Sequence, residues 1–285
     1  DLKRQFPQYE VVATIQCAGN RRHDLNEIQE VKGLDWDIGA IGNASWKGVK
    51  LRDVLLAAGF NANELGEIEH VQLEGLDRDF EKSYSASIPV QKALDPLGDV
   101  ILAFEMNGEP LPRDHGFPVR CIVPGVVGAR NVKWLHKVRT SRHESNGHWQ
   151  QNDYKGFNAS TTWETANFKQ TPAIQEMPVQ SAITWPPPQF EVEVGDVVPI
   201  KGYAWSGGGR GVVRVDVSID GGKTWNIATL TKDKEEQVWY GKSARDWSWT
   251  LWNVDLPVVN LPQGEHTILV RAVDASSNTQ PSESS

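Results

Sequence analysis

A cysteine followed closely by two arginines is the first feature of this sequence that can carry chemistry. Cys17 begins the stretch Cys-Ala-Gly-Asn-Arg-Arg, which ends at Arg22. Nearby cationic groups favour the thiolate, the form of a cysteine that binds metals or attacks electrophiles. A lone cysteine is more often a small buried apolar residue, and Cys121, between Arg120 and Ile122 in a predicted strand, fits that role. Cys17 is therefore a candidate metal ligand or nucleophile.

The second feature is a basic segment mixed with apolar residues. Residues 113–139 contain six lysines and arginines but one acid. On composition alone they fit a solvated pair of basic strands as well as they fit a pocket. The glycine-rich loop 124–130 favours the pocket and an anionic, phosphate-bearing ligand, because the backbone N–H groups of such a loop approach anions closely. The six basic residues are Arg113, Arg120, Arg130, Lys133, Lys137 and Arg139.

The rest of the composition argues against several classes of protein. The chain has 285 residues and a net charge of −8, so we expect no general affinity for nucleic acid or for an anionic membrane surface. No apolar run approaches the roughly 20 residues that a membrane-spanning helix requires. Two cysteines are too few for a disulfide framework, and the seven histidines show no zinc-binding spacing. No GxGxxG or Walker-type loop occurs.

The Cys17 loop needs regular elements to hold it, and the first half of the chain predicts both strands and helices. A strand over 9–15 leads directly into the loop. Apolar residues at i, i+3, i+4 and i+7 predict a helix over 51–58. A further helical turn is predicted between residues 87 and 96. This half therefore mixes strands with short helices.

A buried hairpin is predicted before the basic segment. The apolar run 100–104 ends in the dipeptide Asn107-Gly108, which is a strong tight-turn signal. The chain then returns through another apolar stretch, 117–123. Together with the preceding elements, this hairpin indicates an α+β domain.

The second half of the chain predicts strands alone. Residues 213–219, 247–249 and 268–272 alternate apolar and polar side chains with the period of a half-buried strand. Prolines 186–188 form a stiff break that indicates a domain boundary. Seven of the twelve tryptophans fall in this half, and we expect them to fill its core. The pattern predicts an antiparallel sandwich of about a hundred residues.

Several long stretches closely resemble the molybdenum domain of the sulfite oxidase family. The resemblance implies an α+β molybdopterin-binding oxidoreductase domain over 1–180 and an all-β immunoglobulin-like dimerisation domain over 181–285. It also implies further segments before residue 1 and after residue 285, so we expect the chain to be a fragment. The matching stretches are 16–22, 107–120, 123–134, 153–157, 178–183 and 201–210.

The resemblance implies a role for individual residues. Cys17 matches the protein thiolate on molybdenum, a soft ligand suited to that metal. Arg22, Trp36 and Tyr154 match positions of the family's oxyanion pocket. There the resemblance implies that the arginine binds sulfite or sulfate through two N–H groups, the tryptophan forms a rigid wall and the tyrosine is a neutral hydrogen-bond donor. The positions that bind the pterin and its phosphate match Asp77, His115, Arg120, Asn131, Val132 and Lys133.

The activity implied by the resemblance is the oxidation of sulfite to sulfate at a molybdenum-molybdopterin centre. Electrons would pass to a haem and cytochrome c, or to oxygen, with haem present only if a missing N-terminal domain carries it. The alternatives are the molybdenum domain of a eukaryotic assimilatory nitrate reductase and a non-catalytic relative. Residues 153–157 favour sulfite. We also expect a homodimer formed through the second domain, in the mitochondrial intermembrane space or, alternatively, in the peroxisome.

Overall fold

The chain divides between Met177 and Pro178 into two units. The computed structural model describes residues 1–61, 66–78, 82–158, 160–231, 245–259 and 261–281. Within these ranges, all helices lie in the first unit, and none is long and apolar enough to cross a membrane. The first unit is α+β and the second is all-β over the same ranges, which confirms the predicted contrast between the halves.

The part of the first unit that the structure describes is built on two antiparallel sheets. Strands β1, β2, β5 and β6 follow one another in the larger sheet, with β7 also on β5, and the smaller sheet has the order β4-β3-β8. Helices α1 to α5 are Leu2–Gln5, Arg22–Asn26, Leu51–Ala57, Val90–Leu94 and His148–Gln151. Strands β1 to β8 are Gln8–Gln16, Ile41–Lys50, His70–Arg78, Ser83–Pro89, Ile101–Met106, Glu109–Pro110, Arg120–Ile122 and Leu135–Ser141.

The predicted elements that lead to the site are confirmed. Strand β1 ends at Gln16, directly before Cys17, and pairs along its whole length with β2. In the predicted hairpin, Asn107-Gly108 turns β5 into the short β6. The returning strand β7 then pairs with β5 as well, with Ala103 opposite Arg120. The larger sheet therefore brings the Cys17 loop and the basic segment together.

Gly48 in β2 leaves no room for a side chain, whereas Gly42 in the same strand does. A β-carbon at Gly48 would lie 2.2 Å from the carbonyl oxygen of Leu102, but one at Gly42 would meet nothing within 4 Å. Because overpacking strains a sheet, we expect Gly48→Ala to lower the free energy of unfolding by about 1–3 kcal/mol. The control, Gly42→Ala, is expected to change it by less than about 0.5 kcal/mol. Urea denaturation followed by circular dichroism measures both, and equal losses would contradict the packing argument.

Over its described residues, the second unit consists of two antiparallel sheets that share one core. The sheet orders are β13-β14-β10-β9 and β12-β11-β15. Buried Ile200 and Trp252 come from the first sheet, while Val215 and Ala272 come from the second. The predicted antiparallel arrangement is thus confirmed over the described residues. Strands β9 to β15 are Gln180–Trp185, Val197–Trp205, Val212–Ser218, Asn226–Ile227, Thr229–Thr231, Thr250–Pro257 and Leu269–Asp274.

Two strand predictions in this unit are wrong in detail. The pairing of β11 with β15 shifts register between Val212 and Arg214, so Val213 is 57% exposed instead of buried. Asp216, predicted to face solvent, is buried between two cations at 2.6 Å from Arg214 and 3.1 Å from Arg271. The strand predicted at 247–249 begins only at Thr250. A one-residue bulge reverses the faces of a strand, and simple alternation does not reveal it.

The roles predicted for the tryptophans and the prolines also need correction. Trp205, Trp247 and Trp252 are buried, but Trp185 is 42% exposed, so the tryptophans do not all fill the core. Trp239 lies outside the described residues. Strand β9 ends at Trp185 and pairs with β10. Prolines 186–188 therefore lie within the second unit and do not mark its boundary.

Candidate active site

Cys17 lies at the start of a loop that hydrogen bonds hold on both sides. Its N–H donates to the carbonyl of Ala40 at 2.9 Å, and the N–H of Gly19 donates to the Cys17 Sγ at 3.3 Å. Asn20 Oδ1 accepts from the N–H of Ala40 at 2.9 Å. Cys17 is partly exposed, whereas Cys121 is fully buried and burial raises the pKa of its thiol to about 12. The accessible thiol is therefore Cys17, and Cys121 has the structural role predicted for it.

Arg22 lies flat against this loop because two glycines leave space for its guanidinium. A β-carbon at Gly19 would lie 2.5 Å from Arg22 Nη2, and one at Gly33 would lie 2.6 Å from Nη1. Arg22 Nη1 also donates to the carbonyl of Leu34. Trp36 borders the same place, with its Cδ1 2.8 Å from the Gly19 β-carbon position, and its side chain is 44% exposed. Arg22 and Trp36 thus lie together beside the Cys17 loop.

A small polar cluster supports these two residues, and sequence reasoning missed it. The N–H of His23 donates to the carbonyl of Trp36 at 3.0 Å, and its ring Nδ1 lies 3.0 Å from Asp35 Oδ2. Asn26 Nδ2 donates to Asp35 Oδ1 at 2.7 Å. The hydrogen bond to Asp35 raises the pKa of His23, and the same bond lowers the pKa of Asp35. The sequence signal for this cluster was adjacency, since His23 directly follows Arg22 and Asp35 directly precedes Trp36.

Tyr154 completes the group from a distant part of the chain. Burial raises the pKa of its hydroxyl, and the proximity of Cys17 raises it further. The positive charges of Arg130 and Arg22 act in the opposite direction. Electrostatic coupling to both residues places the Tyr154 hydroxyl near Cys17 and Arg22. The structure therefore brings together the four residues whose roles concern the metal and the oxyanion, namely Cys17, Arg22, Trp36 and Tyr154.

A second group forms around Arg120. Its Nη1 donates to the carbonyl of His115 at 3.0 Å and its Nη2 to the carbonyl of Asn131 at 3.1 Å. Its guanidinium carbon lies 4.9 Å from the centre of the Trp46 ring. Burial lowers the pKa of Arg120 to about 10. Lys133 Nζ donates to the carbonyl of Asp114 at 2.8 Å, so both cations are held by backbone oxygens.

The remaining residues of the predicted pterin site take different positions. Asn131 serves its own loop, since its Oδ1 accepts from Val123 N–H at 2.7 Å and its Nδ2 donates to Val127 at 3.2 Å. The side chain of Val132 is buried in the core, whereas His115 is exposed. Burial raises the pKa of Asp77, and the charge of Lys133 opposes that rise. Only part of this set thus presents side chains to a ligand.

Two buried polar atoms of this group have no hydrogen-bond partner among the described residues. They are Asp77 Oδ1 and Arg120 Nε. A β-carbon at Gly116 would lie 3.0 Å from the Lys133 β-carbon and 3.1 Å from that of Arg120, so the backbone closely approaches the base of both side chains. Buried polar groups are normally paired. A ligand with ring N–H donors and a phosphate would supply both partners, so these residues fit a molybdopterin.

The basic segment does not form one pocket, contrary to the simplest reading of its composition. Lys137 lies on the exposed face of β8 at 3.9 Å from Glu74, and Arg139 on the same strand donates to Gln72. Arg130 is completely buried. The alternation along β8 turns two of the six cations to solvent, so a count of charges overestimates how many basic residues line a pocket.

Two family models match the chain. The model described as "Oxidoreductase molybdopterin binding domain" matches residues 1–149. The model described as "Mo-co oxidoreductase dimerisation domain" matches residues 171–285. The residues of the candidate site between Cys17 and Lys133 lie within the first match, and Tyr154 follows it.

Curated relatives match over nearly the whole chain. "Sulfite oxidase" of Gallus gallus is 55% identical over 282 residues, which are 99% of this chain and 59% of that protein. "Sulfite oxidase, mitochondrial" of Homo sapiens is 55% identical over 283 residues, with coverages of 99% and 50%. An inducible nitrate reductase of Glycine max is 39% identical over 293 residues, with coverages of 98% and 32%. The chain spans about half the length of the two sulfite oxidases.

A solved structure shares the fold. The sulfane dehydrogenase SoxCD of Paracoccus pantotrophus matches with a TM-score of 0.75 and 30% identity, covering 98% of this chain and 64% of that one. The family models, the sequence identity and the shared fold agree with one another. The chain therefore belongs to the sulfite oxidase family of molybdopterin-binding oxidoreductases.

Proposed function

We propose that this chain is the molybdenum-bearing part of a sulfite oxidase, which oxidises sulfite to sulfate. The observation that carries the proposal is an accessible thiol at Cys17 with the Arg22 guanidinium packed on its loop, together with a partly buried Tyr154 whose hydroxyl is affected by the charges of both. A small dianion needs a cation and a neutral donor, and both lie beside the thiol that would hold the metal. The 55% identity to proteins named sulfite oxidase supports this choice of substrate.

Each residue of the group has a separate task in the proposed reaction. When bound, the molybdenum centre supplies the oxygen-atom transfer and takes up two electrons, and Cys17 is its protein ligand. Arg22 pairs with the anion, while its bond to Leu34 fixes the plane of the guanidinium. Trp36 forms a rigid wall of the pocket. The hydroxyl of Tyr154, whose pKa burial raises further above neutrality, donates a hydrogen bond to an anion oxygen.

The group around Arg120 is proposed to hold the molybdopterin. Arg120, Lys133 and His115 supply donors for the phosphate, and Asp77 accepts from the pterin ring. Asn131 and Val132 act differently, by keeping the loop between β7 and β8 in shape. This assignment gives the buried Arg120 Nε and Asp77 Oδ1 the partners that they otherwise lack among the described residues.

Lys133→Met tests this cofactor site. A hydrogen bond from a charged group contributes about 1.5–3 kcal/mol, so we expect the variant to bind molybdopterin at least about 10-fold more weakly. The molybdenum-to-protein ratio after extended dialysis measures the loss. Lys137→Met is the matched control, because Lys137 lies on an exposed strand face. Equal retention of molybdenum by the two variants would argue against a role for Lys133.

The alternative substrate is nitrate, and the alternative to an enzyme is a non-catalytic relative. Steady-state assays of the full-length protein with sulfite and with nitrate distinguish the two substrates. Nitrate reduction without sulfite oxidation would reject our choice. Metal analysis addresses the second alternative, because protein from a cofactor-competent host that contains neither molybdenum nor pterin would favour the non-catalytic role.

We further propose the assembly and location of the whole protein. The second unit would be an immunoglobulin-like domain that forms a homodimer, as its match to a dimerisation domain supports. Electrons would pass to a haem and cytochrome c, or to oxygen. The mitochondrial relatives support a mitochondrial location, for which we propose the intermembrane space, with the peroxisome as the alternative. Light scattering of the purified protein tests the homodimer, and a monomeric mass would reject it.

A further inference from the structure

Arg130 is a buried cation for which the proposed reaction has no task. It ends the short 3₁₀ turn Gly128–Arg130, and its side chain is completely buried. Its Nε donates to the carbonyl of Ile174 and its Nη1 to the carbonyl of Trp149, both at 3.1 Å. Its Nη2 is buried without a partner among the described residues. Because burial disfavours the charged guanidinium, its presence at this position needs a specific explanation.

Both carbonyls belong to segments that hold Tyr154. Trp149 lies in α5, shortly before Tyr154, and the N–H of Ile174 donates to the carbonyl of Tyr154 at 2.9 Å. Tyr154 has a φ of 48°, a left-handed conformation that a tyrosine keeps only where its surroundings enforce it. The guanidinium carbon of Arg130 lies 5.9 Å from the centre of the tyrosine ring, within the range of a cation–π contact. One side chain thus contacts the ring and both flanking segments.

The turn that carries Arg130 also packs against the strand that leads to Cys17. A β-carbon at Gly128 would lie 3.0 Å from the carbonyl oxygen of Gln16, the last residue of β1. The N–H of Arg130 donates to the carbonyl of Val127 at 3.0 Å, which keeps Arg130 on the turn. The turn therefore links the segments that contact Tyr154 to the end of β1, directly before Cys17.

We propose that Arg130 is a positioning residue that holds the Tyr154 hydroxyl at its working distance from the Cys17 thiol. The proposal rests on the proposed function, in which Tyr154 donates a hydrogen bond to the anion. In this proposal Arg130 acts only through Tyr154, because the hydrogen bonds that its side chain donates go to the carbonyls of Ile174 and Trp149. Small misplacements of a group that acts on the reacting atoms lower the rate strongly, by up to about 100-fold for a shift of about 1 Å.

The test compares Arg130→Lys in two backgrounds of the holoenzyme. Lysine keeps the charge but lacks the planar fork that bonds two carbonyls at once. We expect Arg130→Lys alone to lower kcat for sulfite about 10-fold and to leave KM within about threefold, because Arg22 still binds the anion. In the Tyr154→Phe background the same change should lower kcat less than about twofold. An equal loss in both backgrounds would show a general structural effect and overturn the proposal.

Amide hydrogen exchange supplies a readout that needs no turnover. In Arg130→Lys the amide of Ile174 should exchange at least about 10-fold faster. The amide of Cys121, bonded to Val132 at 2.8 Å, is the internal reference and should be unchanged. An Ile174 amide that exchanges as in wild type would contradict the proposal. If Arg130→Lys does not yield folded protein, Arg130→Gln takes its place with the same expected outcomes.

A matched control and the wild-type assay separate this proposal from the proposed function. Lys155 adjoins Tyr154 and donates to the carbonyl of Thr171 at 2.8 Å, so Lys155→Met removes a nearby bond without touching Arg130. We expect its kcat to stay within about twofold of wild type. A wild type that does not oxidise sulfite would reject the proposed function. If the wild type is active but Arg130→Lys lowers kcat equally with and without Tyr154→Phe, only the role of Arg130 is rejected.

Discussion

Cys17→Ser is expected to abolish sulfite oxidation, with kcat at least about 1,000-fold below that of wild type, or about 4 kcal/mol in barrier height. A serine hydroxyl stays protonated at neutral pH and is a hard oxygen ligand, whereas the thiolate is a soft ligand suited to molybdenum. Two hydrogen bonds that hold the loop, from the Cys17 N–H to the carbonyl of Ala40 and from the Ala40 N–H to Asn20 Oδ1, do not involve the sulfur. The melting temperature should therefore change by less than about 3 °C. Steady-state assays and calorimetry measure the two effects.

Cys121→Ser is the matched control for this prediction. Cys121 is fully buried in β7, so a serine hydroxyl there would lose its hydrogen bonds to water and would cost about 1–3 kcal/mol of stability. Its activity per bound molybdenum should stay close to that of wild type. If Cys17→Ser kept its activity, or if Cys121→Ser lost activity at full molybdenum content, the assignment of Cys17 as the metal ligand would be wrong.

Arg22→Met is expected to lower kcat/KM for sulfite about 100-fold. Hydrogen bonds to charged groups contribute about 1.5–3 kcal/mol each, and the loss of a guanidinium removes at least one. Methionine has a similar length and no charge, so it still fills the space between Gly19 and Gly33. We expect KM to carry most of the change, because Arg22 pairs with the anion before and during the reaction. Steady-state kinetics over a range of sulfite concentrations measures both parameters.

Arg21→Met tests whether the effect belongs to Arg22 and not to positive charge in general. Arg21 has the same side chain and the preceding position, but it pairs with Asp24 at 2.6 Å. We expect its kcat/KM to stay within about threefold of wild type. A loss of kcat/KM of similar size in the two variants would mean that activity depends on the total positive charge of the loop. Arg22 would then have no specific role in binding the anion.

Sequence patterns predicted best those features that lie within one short segment. Cys17 and Arg22 share a single loop, and the strand that carries it has a clear apolar pattern. The β5 hairpin likewise followed from a turn dipeptide between apolar runs. Such features depend on local conformation, which the residues of the segment determine themselves. The resemblance to the family added Tyr154, which no local pattern links to Cys17.

Contacts between distant segments could not be predicted in this way. The support of Trp36 by His23 and Asp35 depends on two loop segments folding back on each other. The burial of Arg130 beneath Tyr154 joins parts of the chain that no periodicity relates. Exposure of Val213 follows from a bulge in the pairing of two strands. In each case the outcome depends on a partner whose position only the folded chain determines.

The glycines that flank the Arg22 guanidinium bear on how inherited changes in this family are interpreted. Gly19 and Gly33 have no side chains that bind anything, and a comparison of chemical properties would rank a change to alanine as mild. Yet any β-carbon at either position would occupy the space of the guanidinium. A substitution at either glycine would therefore move the Arg22 guanidinium away from the loop although Arg22 itself is unchanged. Substitutions at these two positions should therefore be weighed together with those at Arg22 itself.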